Sequence, residues 1–91
     1  MKKLKVAVAI SGSGSNLQAI IDACKDPSYP AEIVFVVSNK ADAYGLKRAQ
    51  EAGIPNLAIP HADYADRDSF DQAMHKAIVE SGANFVVLAG F

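Results

Sequence analysis

Residues 11–16, which read SGSGSN, are the part of this sequence whose residue types and spacing suit the binding of a charged ligand. They follow an apolar run and precede an amphipathic segment, so they are expected to form the turn between a strand and a helix. Such a turn, here named the glycine loop, presents free backbone N–H groups and the positive end of the helix dipole to an anion. We therefore predict a phosphate site, with a plain helix cap at Ser15 or Asn16 as the alternative.

The glycine loop departs from two well-defined phosphate-binding motifs. In the dinucleotide fingerprint G-x-G-x-x-G the third glycine allows close packing of helix on strand, and Leu17 stands at that position. The acidic residue expected after the second strand, for a ribose hydroxyl, is also absent, because residues 38–41 read SNKA. No Gly-Lys-Ser/Thr follows, as a Walker A loop requires. A single phosphate, or the phosphoribosyl end of a small molecule, fits better.

The rest of the chain alternates apolar runs with helical patterns and contains no linker or internal repeat. The runs predict strands over residues 4–10, 32–38, 56–59 and 84–89. Pro55 and Pro60 flank the third strand and predict an edge position, because proline cannot donate to a neighbouring strand. The alternation predicts an α/β fold with a doubly wound parallel sheet of strand order 3-2-1-4.

The three helices are defined by their apolar faces and their end signals. The first helix is predicted to stop before Asp26 and to carry on one face Leu17, Ile20, Ile21 and Cys24. The second is predicted over residues 43–52, with Asp42 as its cap and Gly53 at its end. The third is predicted to end at Gly82 and to carry on one face Phe70, Met74, Ala77 and Ile78.

Composition and charge exclude several classes of protein. The 91 residues are 51% hydrophobic and 21% charged, with a formal net charge of −1, which is typical of a globular domain or part of one. Near-neutral charge argues against nucleic acid as the main ligand, and no apolar run is long enough to cross a membrane.

The one cysteine, Cys24, cannot form an internal disulfide and is interpreted as a small buried thiol. We expect a cytoplasmic protein and predict no metal site.

Three stretches of the chain together resemble the phosphoribosylglycinamide formyltransferases of purine biosynthesis. They read SGSGSNLQAIIDACK, VVSNKADAYGLKRAQEAGIP and VVLAGF, and the likeness runs in order over nearly all 91 residues. Formyltetrahydrofolate deformylases and methionyl-tRNA formyltransferases are similar in the last strand but differ in the first loop. The resemblance implies a Rossmann-like fold and an enzyme that transfers a formyl group from 10-formyltetrahydrofolate to the amine of phosphoribosyl glycinamide.

The resemblance also implies roles for particular residues. The phosphate cradle of the family falls on Gly14, Ser15 and Asn16, in agreement with the interpretation of the glycine loop. Gly90 would lie close to the substrate, in a segment that lines the glycinamide and folate pockets. Arg67 matches an arginine that contacts the formyl-folate, although the residue alone reads as a solvated side chain in the first turn of a helix.

The family's catalytic asparagine, histidine and aspartate lie downstream of the fourth strand, at positions that residues 1–91 do not contain. His61 and His75 match the family's histidine in neither position nor context. The resemblance therefore implies that the chain is the N-terminal, phosphate-binding part of a truncated formyltransferase domain. Its partner would be the missing C-terminal part of the same protein, and the 91-residue chain alone is predicted to be inactive.

Two functions of other classes stay open. The chain could be a non-catalytic module that binds a mononucleotide or NAD(P) through the glycine loop, although Leu17 and the missing acidic residue argue against this. It could also be an interaction fragment whose exposed fourth strand pairs with another chain.

Overall fold

Strands and helices alternate along the chain in the computed structural model, which describes residues 3–89. The strands are β1 (Leu4–Ile10), β2 (Ala31–Ser38), β3 (Asn56–Ala58) and β4 (Phe85–Leu88). All their pairings are parallel and the order in the sheet is β3-β2-β1-β4, which confirms the predicted doubly wound α/β topology. The short β3 lies at an edge, as its flanking prolines predicted.

The helices are α1 (Ser15–Cys24), α2 (Tyr44–Glu51) and α3 (Arg67–Glu80), and a 3₁₀ turn at His61–Asp63 precedes α3. Gly53 and Gly82 follow the ends of α2 and α3 with φ values of 72° and 81°, which confirms both as helix-stop residues. None of these helices in residues 3–89 combines the length and apolar character needed to cross a membrane.

The prediction that Asp42 caps α2 is wrong. The N-cap residue is Ala43, and no side chain accepts a hydrogen bond there. The backbone N–H of Gly45, which a cap side chain ordinarily binds, instead donates to the carbonyl oxygen of Gly12 at 3.2 Å. The glycine loop therefore takes the place of the cap.

Two layers of side chains cover the two faces of the sheet. On one face, α1 and α2 place Leu17, Ile21, Leu46 and Ala49 against Val8 and its neighbours. On the opposite face, α3 packs Phe70 and Met74 against Ala9, Val37 and Ile59. The sheet therefore has helices on both sides, and the apolar faces predicted for α1 and α3 are the faces that pack.

An irregularity in β2 keeps its side chains on the correct faces. Val6 of β1 pairs with Ile33, whereas the next residue, Ala7, pairs with Phe35, so Val34 is an extra residue in β2. Side chains alternate between faces along a strand, so residues two positions apart, such as Ile33 and Phe35, ordinarily share a face. The extra residue between them places Ile33 and Phe35 in opposite layers of the core.

Candidate functional site

The glycine loop (residues 11–16) connects the carboxyl end of β1 to the start of α1. The strand order reverses at β1, since β2 and β3 lie on one side of it and β4 lies on the other. In open parallel sheets the crevice at this switch point, outside the carboxyl ends of the strands, is where ligands bind. The loop therefore occupies the position at which this fold places a ligand.

Gly14 gives the glycine loop its shape. It is the N-cap of α1, with φ 77° and ψ 23°, and its carbonyl oxygen accepts from the backbone N–H of Gln18 at 2.8 Å. Neither Ser15 nor Asn16 occupies the cap position, so the alternative that one of them merely caps the helix is wrong. Both side chains are exposed at the first turn of α1.

The first backbone N–H groups of α1 are consequently available to a ligand. Such groups have no partner within their own helix, and a glycine at the N-cap supplies no side chain to bind them. The positive end of the helix dipole lies at the same place. Chemically, this arrangement suits an oxyanion such as phosphate, which accepts several hydrogen bonds at once.

Helix α2 contacts the glycine loop at Gly12, Ser13 and Gly14. The backbone N–H of Gly45 donates to the carbonyl oxygen of Gly12, and Nε of Arg48 donates to the carbonyl oxygen of Ser13 at 2.8 Å. Sequence reasoning assigned neither α2 residue to the site. Two carbonyl groups of the loop are thus hydrogen-bonded to α2.

The end of β2 contributes a polar group beside the loop. The backbone N–H of Asn39 donates to the carbonyl oxygen of Ile10 at 3.4 Å, immediately before the glycine loop. The side-chain oxygen of Asn39 is buried and has no hydrogen-bond partner among residues 3–89. Sequence reasoning assigned neither Asn39 nor Lys40 to the site, and it did not predict this buried acceptor.

Arg67 lies at the first position of α3, the helix that packs on the face of the sheet opposite to α1 and α2. Its side chain is 82% exposed and its Nε lies 3.7 Å from Oδ2 of Asp71 in the same helix. The preceding residue, Asp66, caps α3 by accepting from the backbone N–H of Ser69 at 2.8 Å. Hydrogen bonds from the backbone and side chain of Ser69 hold the pKa of the Asp66 carboxyl below its usual value.

Gly90, the other predicted substrate contact, lies outside the described residues. The described part of the chain does reach the same edge of the sheet, because the backbone N–H of Ala89 donates to the carbonyl oxygen of Ala9 at 2.9 Å. The role of Gly90 stays a prediction.

The other candidate groups lie away from the glycine loop. Cys24 is at the opposite end of α1, about 14 Å along the helix axis from Ser15. The sequence predicted a buried thiol, whereas Cys24 is half-buried in the structure. Burial raises the pKa of this thiol. His75 is exposed on α3. In residues 3–89 no three His, Cys, Asp or Glu side chains converge as metal ligands.

A separate cavity of about 490 Å³ lies between α1, α2 and β2. Its lining includes Gln18, Ile21, Cys24, Glu32, Arg48 and Ile54. Charges of both signs line it, and it faces the amino-terminal part of β2 more than the carboxyl edge where the glycine loop lies.

Comparison with known proteins gives a consistent result. A family model described as formyl transferase matches residues 4–91. A trifunctional purine biosynthetic protein adenosine-3 from Bos taurus is 51% identical over 90 residues, which are 99% of this chain and 9% of the relative. A phosphoribosylglycinamide formyltransferase from Escherichia coli is 44% identical over 88 residues, which are 97% of this chain and 42% of the relative.

Solved structures agree with these relatives. The phosphoribosylglycinamide formyltransferase of Coxiella burnetii is 48% identical with a TM-score of 0.94, over 99% of this chain and 42% of that protein. The corresponding protein of Brucella melitensis is 39% identical with a TM-score of 0.95, over 99% of this chain and 47% of that protein. The chain thus spans less than half the length of these relatives.

Proposed function

The chain belongs to the formyl transferase family, and on that premise we propose that its protein transfers a formyl group from 10-formyltetrahydrofolate to the amine of phosphoribosyl glycinamide. The reaction would be a step of purine biosynthesis, the process for which its trifunctional relatives are named. Residues 1–91 would supply the site for the substrate phosphate.

One observation carries the phosphate assignment. The N-cap of α1 is a glycine in a left-handed conformation at the switch point of the sheet, so the first amides of the helix are left for a ligand. A phosphate bound there would accept from the backbone at Gly14 and from the backbone and side chains of Ser15 and Asn16. Both side chains are exposed and can turn toward the ligand without breaking packing.

The remaining contacts follow from the direction in which the substrate would extend. With its phosphate on the glycine loop, the glycinamide end would run along the carboxyl edge toward β4, where Gly90 is proposed to lie close to it. Arg67, exposed at the start of α3, is proposed to contact the formyl-folate. This contact would require the Arg67 side chain to exchange its weak ion pair with Asp71 for the folate.

The transfer itself needs groups of another kind. The substrate amine attacks the formyl carbon, whose oxygen takes up negative charge in a tetrahedral intermediate. The bond from that carbon to the folate nitrogen then breaks, and one proton passes from the amine to that nitrogen. A polariser for the oxyanion and a group that moves the proton are therefore required. We propose that the C-terminal part of the protein supplies both, and that residues 1–91 bind and orient the substrate.

Titration with phosphoribosyl glycinamide, followed by amide NMR, tests the phosphate site. We expect shifts concentrated at Gly14, Ser15, Asn16 and Gly90, and none with NADH in a parallel titration. Buried Leu17 stands where a dinucleotide site has its third glycine. An equal response to NADH would instead indicate a dinucleotide-binding module.

A transformylase assay tests how the chemistry is divided. We expect no turnover from the purified 91-residue chain, and turnover when a complementary C-terminal segment is added. Turnover by the chain alone, at a rate typical of enzymes, would place the catalytic group within these residues and contradict the proposal.

A further inference from the structure

Arg48 connects α2 to the glycine loop and to α1 at the same time. Its Nε donates to the carbonyl oxygen of Ser13 at 2.8 Å, and its Nη1 lies 3.3 Å from Oε1 of Gln18 in α1. The guanidinium also lies over the ring of Tyr44, with its Cζ 4.9 Å from the ring centre. Three contacts in different directions therefore fix the group that holds the Ser13 carbonyl.

Close backbone contact brings α2 within reach of the loop. A Cβ atom built on Gly14 would lie 2.5 Å from the Cα of Gly45, and one built on Gly45 would lie 2.3 Å from Cδ1 of Ile10. At Gly14 the atom met is backbone, so only a glycine allows this approach, whereas at Gly45 the nearest backbone atom is the Cα of Gly14 at 3.1 Å. The approach is what lets the Gly45 amide reach the carbonyl of Gly12 at 3.2 Å.

The two bonds from α2 determine which groups the loop presents to a ligand. A peptide carbonyl carries partial negative charge and repels an oxyanion. The carbonyls of Gly12 and Ser13 are bonded to α2. In a trans peptide the following N–H points opposite to the carbonyl, so the next amides face away from α2. A loop held in its binding conformation before the ligand arrives loses less conformational entropy on binding.

We propose that Arg48 is a positioning residue for the phosphate site, acting through the Ser13 carbonyl and supported by the close contact between Gly14 and Gly45. The proposal rests on the proposed function in that it takes the phosphate of phosphoribosyl glycinamide as the ligand of the loop. Arg48 itself makes no contact with the substrate in this assignment.

The test compares Arg48→Met with Lys47→Met in the full-length protein. Lys47 is a matched control, because it is the adjacent cation on α2 and its Nζ lies 5.8 Å from the centre of the same Tyr44 ring. Both variants remove one positive charge. Only Arg48→Met removes the bond to the loop, so the comparison separates positioning from long-range charge.

Calorimetry with phosphoribosyl glycinamide measures the first effect. We expect Arg48→Met to weaken binding about tenfold, or about 1.4 kcal/mol, and Lys47→Met to weaken it less than about twofold on the same scale. The riboside that lacks the phosphate should bind both variants as it binds the wild type. Equal weakening by the two variants, or equal weakening for the riboside, would overturn the proposal.

The amide spectrum of the ligand-free protein measures the second effect and does not depend on the substrate assignment. Arg48→Met should shift the amides of residues 13–16, whereas Lys47→Met should leave them in place. Unchanged amides in Arg48→Met would overturn the proposal even if the wild type binds the substrate. Shifted amides in a protein that does not bind phosphoribosyl glycinamide would support the positioning role and contradict the proposed function.

A second variant keeps the test decisive if Arg48→Met does not fold. Gln18→Met removes the oxygen that holds Nη1 of Arg48 and leaves the arginine in place. We expect binding of phosphoribosyl glycinamide to weaken about two- to threefold, which is less than 1 kcal/mol, with smaller shifts at the same loop amides. Binding and loop amides identical to those of the wild type would overturn the proposal.

Discussion

Gly12 and Gly14 stand two residues apart in the glycine loop, yet an added methyl group would meet different surroundings at the two positions. At Gly14 the φ value is 77° and a Cβ would lie 2.5 Å from a backbone atom of α2. At Gly12 no atom lies within 4 Å of the Cβ position, and the φ value is not positive. The backbone therefore requires a glycine at position 14, whereas position 12 has room for a larger side chain.

This difference predicts the outcome of alanine substitution. Gly14→Ala should lower the free energy of unfolding by about 1–3 kcal/mol, the cost of holding a side chain in a sparsely populated backbone region. It should also weaken binding of the proposed phosphate ligand, because relieving the contact with Gly45 moves the loop relative to α2. Gly12→Ala should change stability by no more than about 0.5 kcal/mol. Denaturant unfolding measures the change in stability, and calorimetry measures the change in binding. Equal losses of stability in Gly14→Ala and Gly12→Ala would contradict the requirement for glycine at position 14.

The thiol of Cys24 gives a prediction about pH. Burial is the main cause that raises its pKa, and it disfavours the thiolate, which is the reactive form. The rate of reaction with a disulfide reagent should therefore be lower than that of a free cysteine at pH 8. It should also reach its plateau at a higher pH than the free thiol does. A rate profile that coincides with free cysteine would show that burial does not affect the thiol.

At the scale of residues, the sequence predicted the features formed by neighbouring positions in the chain and missed the contacts between distant positions. The glycine loop could be predicted because its strand, turn and helix are contiguous in the chain. Arg48 bonds a carbonyl 35 positions away, and no pattern in a single sequence indicates such a contact. Gly45 was an available signal, because glycine within a helix costs about 1 kcal/mol relative to alanine and therefore suggests a close backbone approach.

At the scale of elements, α2 and α3 begin in different ways. The amide of Gly45 in α2 is bonded to the loop carbonyl of Gly12, and the cap predicted at Asp42 is not made. The carboxylate of Asp66 caps α3 and accepts hydrogen bonds from the backbone N–H and the side-chain hydroxyl of Ser69. An acidic residue before a helix therefore caps α3, whereas at α2 a backbone carbonyl of the glycine loop takes that place.

The cap of α3 predicts a pH-dependent contribution to stability. Hydrogen bonds lower the folded-state pKa of Asp66, so its contribution is complete above the unfolded pKa, near 3.9, and is lost as the pH falls through the lowered folded value. Asp66→Ala should reduce the melting temperature by a few degrees at pH 7, and the difference from wild type should shrink below about pH 4.

Asp68 provides the matched control for this prediction. Asp68 carries the same charge in the first turn of α3, but the hydrogen bond from the Ser69 backbone that caps the helix is made to Asp66. Asp68→Ala should therefore change the melting temperature much less than Asp66→Ala, with thermal melts recorded from pH 2 to pH 7. A similar decrease in both variants would mean that the helix dipole, and not the cap, accounts for the effect.

Strand order was predictable because each element carried its own signal. Uninterrupted apolar runs indicated strands with helices on both faces, and the prolines around β3 indicated an edge. The extra residue at Val34 was not predictable, because β2 is apolar on both sides of it and the run shows no break in pattern. The bulge is visible only once the pairing with β1 is known.

At the scale of the whole molecule, the coverage of the sheet is uneven. The helices pack over β1 and β2, whose central residues are fully buried, including Val8, Val36 and Val37. The edge strand β4 differs, since all four of its side chains are exposed and Leu88 is exposed by 69%. Sequence reasoning raised the possibility of an exposed fourth strand, and all four residues of β4 are exposed.

Exposed apolar side chains on an edge strand invite pairing with another chain. The 91-residue chain, studied alone, should therefore self-associate as its concentration rises. Leu88→Lys should reduce this association, because it places a charge on the strand that would pair. Val79→Lys is the matched control: Val79 is 60% exposed on α3, and the substitution adds the same charge away from β4.

Sedimentation velocity over a range of concentrations distinguishes the two substitutions. If β4 drives the association, Leu88→Lys should shift the distribution toward monomer while Val79→Lys leaves it unchanged. Equal shifts would attribute association to net charge, since each variant changes the formal charge from −1 to 0. The same edge lies beside the β1 strand that leads into the glycine loop. A C-terminal segment that covers β4 should therefore suppress self-association at the concentrations at which it restores turnover.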